Sequence, residues 1–159
     1  FIEWLCDLPY KHKIFIAGNH DDCMLDASLE GLPKDVHYLS DSGITIDGIS
    51  FYGAPMFVVF GGEELKEVEH YEQIPDNTDI LITHRPPLGI LDSIDDHIHY
   101  GSSILLDKIS NIKPKMHLFG HVHSAYGTMY WKGVTFSNAG LTDWKYDIQY
   151  SPQLLEINI

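Results

Sequence analysis

Three times along this chain an apolar, β-forming run ends directly in a loop that carries histidine. Residues 13–17 run into Gly18-Asn19-His20-Asp21, residues 79–83 into His84-Arg85-Pro86-Pro87, and residues 116–119 into Gly120-His121-Val122-His123. Short apolar runs bounded by turn residues read as buried strands. Open α/β sheets collect ligands just beyond the carboxyl ends of their strands. One histidine in one such loop is ordinarily a hydrogen-bonded residue of the fold. Three such loops on adjacent strands would bring His20, His84, His121 and His123 to a single rim, and that convergence constrains the fold more than any one motif does.

The rest of the chain supplies the layers. Ile2, Leu5 and Leu8 have helical spacing, closed by Pro9, and residues 22–30 and 63–71 read as further helices. Ile104, Leu105 and Ile109 mark another helix over 102–112. Short strands are predicted at 36–39, 44–46, 49–52, 126–131, 134–137 and 154–157, with Asp47-Gly48 and Lys132-Gly133 as two-residue hairpin turns. Strand-then-helix units mixed with hairpins predict an α/β or α+β layered fold with room for two sheets. With 159 residues and a 44% hydrophobic composition the chain reads as one domain, residues 1–159.

Charge narrows the partners. Ten Lys and Arg against 23 Asp and Glu leave a formal charge of −13, so there is no basic footprint for bulk nucleic acid. The longest apolar stretch, 51–60, is broken by Gly53 and Pro55 and falls well short of the roughly 18 residues that would indicate a membrane span. Cys6 and Cys23 lack metal or disulfide spacing and read as reduced, buried residues, which points to the cytoplasm.

Imidazole suits Mn, Fe, Zn, Ni or Co, and the Asn19 oxygen is a harder donor that usually accompanies carboxylate or water. No cysteine lies near enough for a structural zinc site. A Ser-His-Asp triad would leave the clustered histidines unexplained, and no GxSxG elbow occurs.

GNHD at 18–21, the strand-end His84 in THRPP and GHVH at 120–123 are, in that order, similar to the last three of five motifs of the calcineurin-like metallophosphoesterases. The segments YLSDSGITIDGISFYGAP, THRPPLGILD, GHVHSAYG and FSNAG resemble the metallophosphoesterase-domain-containing phosphodiesterase subgroup, so the resemblance covers nearly the whole chain. It implies a four-layer αββα sandwich with a two-metal site that hydrolyses phosphoesters through a metal-bound water or hydroxide. Asn19, His84 and His121 would hold one metal, His123 would serve the other, and His20 would face the phosphate. The substrate would be a small phosphoester or nucleotide, with the cations supplying the attraction that a −13 protein lacks.

The family's first two motifs, D-x-H and GDxxD, should precede GNHD, and nothing upstream of Gly18 matches them. The expectation is a domain without its first strands, holding at most one metal well. Its hydrolysis would be impaired or lost, or it would act as a metal- and nucleotide-binding module, and an exposed sheet edge would be open to a second copy. Asp35-Val36-His37 has the D-x-H spacing but follows GNHD and reads as an edge position. In the polar loop around Asp95-Asp96-His97-Ile98-His99, His99 is a candidate for the leaving-group pocket, and Asn138 a candidate either for a bond near the site or for a turn. His12, His37, His70 and His117 read as structural, and Trp131, Trp144 and the tyrosines as core or interface aromatics.

Overall fold

The computed structural model describes residues 1–24, 27–55, 64–95 and 98–157. In chain order the helices are α1 (Ile2–Asp7), α2 (Glu64–Glu72) and α3 (Ser103–Ile112). The strands are β1 (Lys13–Phe15), β2 (Val36–Tyr38), β3 (Ser42–Ile46), β4 (Ile49–Ala54), β5 (Ile80–Thr83), β6 (Ser93–Asp95), β7 (Ile98–His99), β8 (Met116–Phe119), β9 (Gly127–Trp131) and β10 (Val134–Asn138).

A six-stranded sheet in the order β3-β4-β5-β8-β10-β9 forms the centre, and its four inner strands run parallel. The antiparallel outer strands β3 and β9 arrive through the two anticipated hairpins. Asp47 and Gly48, like Lys132 and Gly133, all have positive φ, the twist that a two-residue hairpin needs. Tyr52, Leu81, Phe119 and Phe136 on one sheet face meet Tyr71 of α2, with Leu105 and Ile109 of α3, in the main core. α3 begins where Ser102 Oγ accepts from Leu105 N at 3.0 Å and ends at Lys113 in the left-handed conformation.

A second, two-stranded parallel sheet, β1-β2, packs Phe15 and Val36 beneath Leu5 of α1. Its other face lies against the central sheet, where a side chain on Gly53 would overlap Leu39 and Ile16. The layers are therefore helix, sheet, sheet, helix, as the α/β expectation required. Buried Lys13 departs from its reading as part of an apolar run. Its Nζ sits 2.5 Å from Asp35 Oδ2 and donates to Leu8 O at 3.2 Å at the end of α1. That Lys13 bond holds the Asp35 carboxyl below its ordinary range, although the Asp35 side chain is itself largely solvated.

The structure corrects several expectations. Residues 22–30 do not form a helix over their described part: a single 3-10 turn, Asp22–Met24, is followed by irregular chain. Nine residues are too few to be helical without a packed apolar stripe, and Met24, Leu29 and Leu32 instead turn onto the small core. Residues 154–157 are not a strand, and Leu154 is 92% exposed. The tail is pinned by Gln153, whose Nε2 donates to Asn138 O at 2.8 Å and whose Oε1 accepts from Ser137 Oγ. The polar loop holds a hairpin, β6-β7, that its composition did not announce. Cys23 is exposed and Cys6 half-buried, both free, because the segment around Cys23 is not packed as a helix. No helix among the described residues is long and apolar enough to cross a membrane.

Candidate metal-binding cleft

The parallel strands β5 and β8 are in register, Ile82 opposite Leu118, so His84 and His121 leave the sheet side by side. Gly120 N donates to His84 O at 3.2 Å and ties the two loops together. His121 has φ +68°, in the left-handed region that residues other than Gly adopt uncommonly. After β1, the Gly18–Asp21 turn is closed by Asp21 N to Gly18 O at 3.0 Å and by Gly18 N to Asp21 Oδ2 at 2.7 Å. It aims Asn19 at the same point. Asn19 Oδ1 lies 2.5 Å from His84 Nε2, and His121 Nδ1 lies 3.1 Å from that nitrogen.

Burial, with help from His121, His20 and Arg85, pushes His84 down to about 4. Burial, then Arg85, His123 and His20, lowers His121 as well. Both imidazoles are therefore neutral near pH 7; His84 Nε2 faces the Asn19 oxygen as an N–H donor, and a cation taking that proton's place would meet its lone pair. Three neutral donors, one amide oxygen and two ring nitrogens, fit part of the coordination sphere of a borderline divalent cation. Asn19, His84 and His121 include no carboxylate, and among the described residues no group of three His, Cys, Asp or Glu is placed to hold a metal ion.

Beside the trio opens a cleft of about 610 Å³ reached by Asn19, His20, His121 and His123, with Tyr100, Trp144 and Tyr146 on its walls. His123 Nδ1 donates to Asp143 O at 2.9 Å, which leaves Nε2 free as a donor. Arg85, fixed to Tyr100 O at 3.1 Å and to Glu67 at 3.5 Å, is the cation next to His84.

Of the residues singled out from the sequence, Asn19, His84 and His121 meet at one point, and His20 and His123 share the adjoining cleft. His99 stands further out. Its Nδ1 donates to Asp92 Oδ1 at 2.8 Å, while Asp92 also accepts from Gly89 N and Gly101 N. Asn138 is fully buried and acts as a brace: its Nδ2 donates to Val122 O at 2.8 Å and Leu91 O at 3.1 Å, and its Oδ1 accepts from Gly140 N at 3.0 Å. His97 lies outside the described residues. His37 is on β2, where its ring stacks on His12 and not on any of these residues. Sequence reasoning passed over Asp143, Tyr146 and Asp92. Their isolated polar or aromatic character has no spacing signal, since their partners lie distant in the chain.

The family model described as calcineurin-like phosphoesterase matches residues 1–125. Human metallophosphoesterase domain-containing protein 1 is 32% identical over an alignment covering 99% of this chain and 58% of that protein. UPF0046 protein K07C11.7 of Caenorhabditis elegans is 33% identical, over 96% of this chain and 59% of its own length. The chain thus spans somewhat under two thirds of these relatives. A solved crystal structure shares the fold at a TM-score of 0.65 and 16% identity, covering 88% of this chain and 61% of the other.

Proposed function

This chain belongs to the calcineurin-like phosphoesterase family, and on that premise we propose that it binds a divalent transition metal and hydrolyses a small phosphodiester. The observation that carries the proposal is the meeting of Asn19 Oδ1, His84 Nε2 and His121 Nδ1 within 2.5–3.1 Å beside an open cleft. A bound Mn, Fe, Zn, Ni or Co ion would neutralise substrate charge and make a nucleophile available near neutral pH. Asn19, His84 and His121 would hold it, and His123 would offer Nε2 toward a second.

The chain's own side chains do the remaining work. His20 shares the cleft and would face the phosphate, supplying the proton that the departing oxygen needs. Arg85 keeps a fixed positive charge near the donors in a protein whose formal charge is −13. That overall charge favours a small phosphoester or nucleotide over a bulk polyanion. Asn138 holds the loops of Leu91 and Val122 together and so acts on the site through His123. The free cysteines suit a reducing compartment such as the cytoplasm. The side of β1 away from β2 carries no strand among the described residues and is where a second copy would pair, which light scattering tests.

With no carboxylate in the donor set, we expect turnover to be slow. The test compares metal content and bis(4-nitrophenyl) phosphate hydrolysis for this chain and for a chimera carrying D-x-H and GDxxD segments ahead of Phe1. Metal in both and faster turnover in the chimera support the hydrolase. Metal without turnover in either favours a binding module, and no metal in either overturns the reading.

A further inference from the structure

Two histidines of the cleft are gripped from one short turn far along the chain. Asp143 organises it: its backbone N donates to Asp147 O at 3.0 Å, its Oδ1 accepts from Lys145 N and Asp147 N, and its Oδ2 accepts from Gln149 Nε2. Gln149 N and Tyr150 N then both donate to Leu141 O, closing the turn. The turn presents the Asp143 carbonyl to His123 and inserts the Tyr146 ring between His123 and His20. Ring centroids are 5.7 Å from His123 and 6.0 Å from His20, both edge to face, and Tyr146 Oη lies 3.2 Å from His20 Nε2.

Tyr146 holds this place at φ +65°, in the left-handed region. A residue other than Gly or Asn is strained there by about 1–2 kcal/mol, and such strain persists where the surroundings impose it, most often at functional sites. The residue is 63% exposed, so core burial does not explain it. Its ring meets the two histidines and its hydroxyl meets His20.

We propose that Tyr146 is a positioning residue for His20. Its hydroxyl, 3.2 Å from Nε2, keeps that edge of the ring turned into the cleft while the proton is given up. The inference rests on the hydrolase reading above. As a water oxygen bonds to phosphorus, the P–O bond to the leaving group breaks; the departing oxygen keeps the electron pair and takes a proton from the His20 ring, and Tyr146 fixes the orientation from which that proton leaves. A leaving group that needs no proton gains little from this arrangement.

The experiment is Tyr146→Phe, which preserves ring, volume and turn, in the metal-loaded chain with two diesters. We expect kcat to fall about 10-fold with diphenyl phosphate, whose phenolate leaves poorly, and under about two-fold with bis(4-nitrophenyl) phosphate, with KM little changed in both. Equal losses on both diesters, or none on either, overturn the proposal while the hydrolase reading stands. Where only the chimera turns over, Tyr146→Phe is read in the chimera; inactivity of chain and chimera alike on both diesters with every metal overturns the hydrolase reading and this proposal with it. Nitrogen-15 spectra of the histidine rings at fixed pH, without metal, give a readout free of turnover. The His20 Nε2 resonance must move in Tyr146→Phe, and an unmoved resonance overturns the proposal whatever the rates.

Discussion

A β-carbon added to Gly18 would stand 2.8 Å from Cε1 and 2.9 Å from Nδ1 of His84, closer than packed side chains approach. The bare backbone at Gly18 is what lets the His84 ring reach Asn19. In Gly18→Ala the imidazole is the part free to yield, so we expect stability to change by less than about 1 kcal/mol while affinity for Mn²⁺ drops at least about 10-fold. Calorimetric titration beside a urea melt separates the two, and unchanged metal affinity would show that His84 is not a ligand.

Binding to the folded state alone raises stability by mass action. At about 100 times the dissociation constant, Mn²⁺ should add about 2.7 kcal/mol, reversed by EDTA. His84→Ala and His121→Ala should each lose most of that gain, whereas His12→Ala, on the surface beside His37, should keep it. Scanning calorimetry with and without metal reads the result directly.

Asn138 satisfies two carbonyls and one amide from a fully buried position. Truncation strands those groups, at about 1–3 kcal/mol for each one left unpaired. We expect Asn138→Ala to be destabilised by about 3 kcal/mol in urea denaturation and to loosen the His123 loop. A variant as stable as the parent would mean that water replaces the amide fully.

His117 is fully buried between Phe119 and Phe136, and burial alone pushes it down to about 3. Its folded value lies below the unfolded one near 6.5, so the unfolded chain takes up the proton first. The stability contributed by a neutral His117 is present above pH 6.5 and is lost as pH falls toward 3. His117→Phe removes this titration. Its melting temperature should decline less steeply than the parent's between pH 6.5 and 4, and parallel curves would refute the account.

Much of this was legible in the chain itself. Thr83 and Phe119 end strands where apolar runs stop, and the two hairpins follow from Asp47-Gly48 and Lys132-Gly133, because strand period and turn chemistry are local properties. The helix expected over 102–112 was readable from Ile104, Leu105 and Ile109 and forms over Ser103–Ile112, with Ser102 as its cap. The failures share a cause. Residues 22–30 carry apolar side chains that a helix could use, but Leu29 and Leu32 find burial against α1 and β2, and that packing decides their backbone. The tail near Leu154 alternates like a strand yet pairs with no strand among the described residues, and the Gln153 side chain caps β9 and β10 instead.

The sequence by itself determined that His20, His84, His121 and His123 leave strand ends, and that a parallel sheet would gather them on one rim. Tertiary structure decided which atoms face one another: Nε2 of His84 toward Asn19, Nδ1 of His121 toward the same point, and Nδ1 of His123 toward Asp143 O. It also brought Tyr146 to His20 across 126 residues of chain and gave buried Lys13 its partner in Asp35. The physical reason is the range of each interaction. Hydrophobic period and turn preference act over a few neighbouring residues, whereas the nitrogen that an imidazole presents depends on a hydrogen-bond partner delivered by a different element.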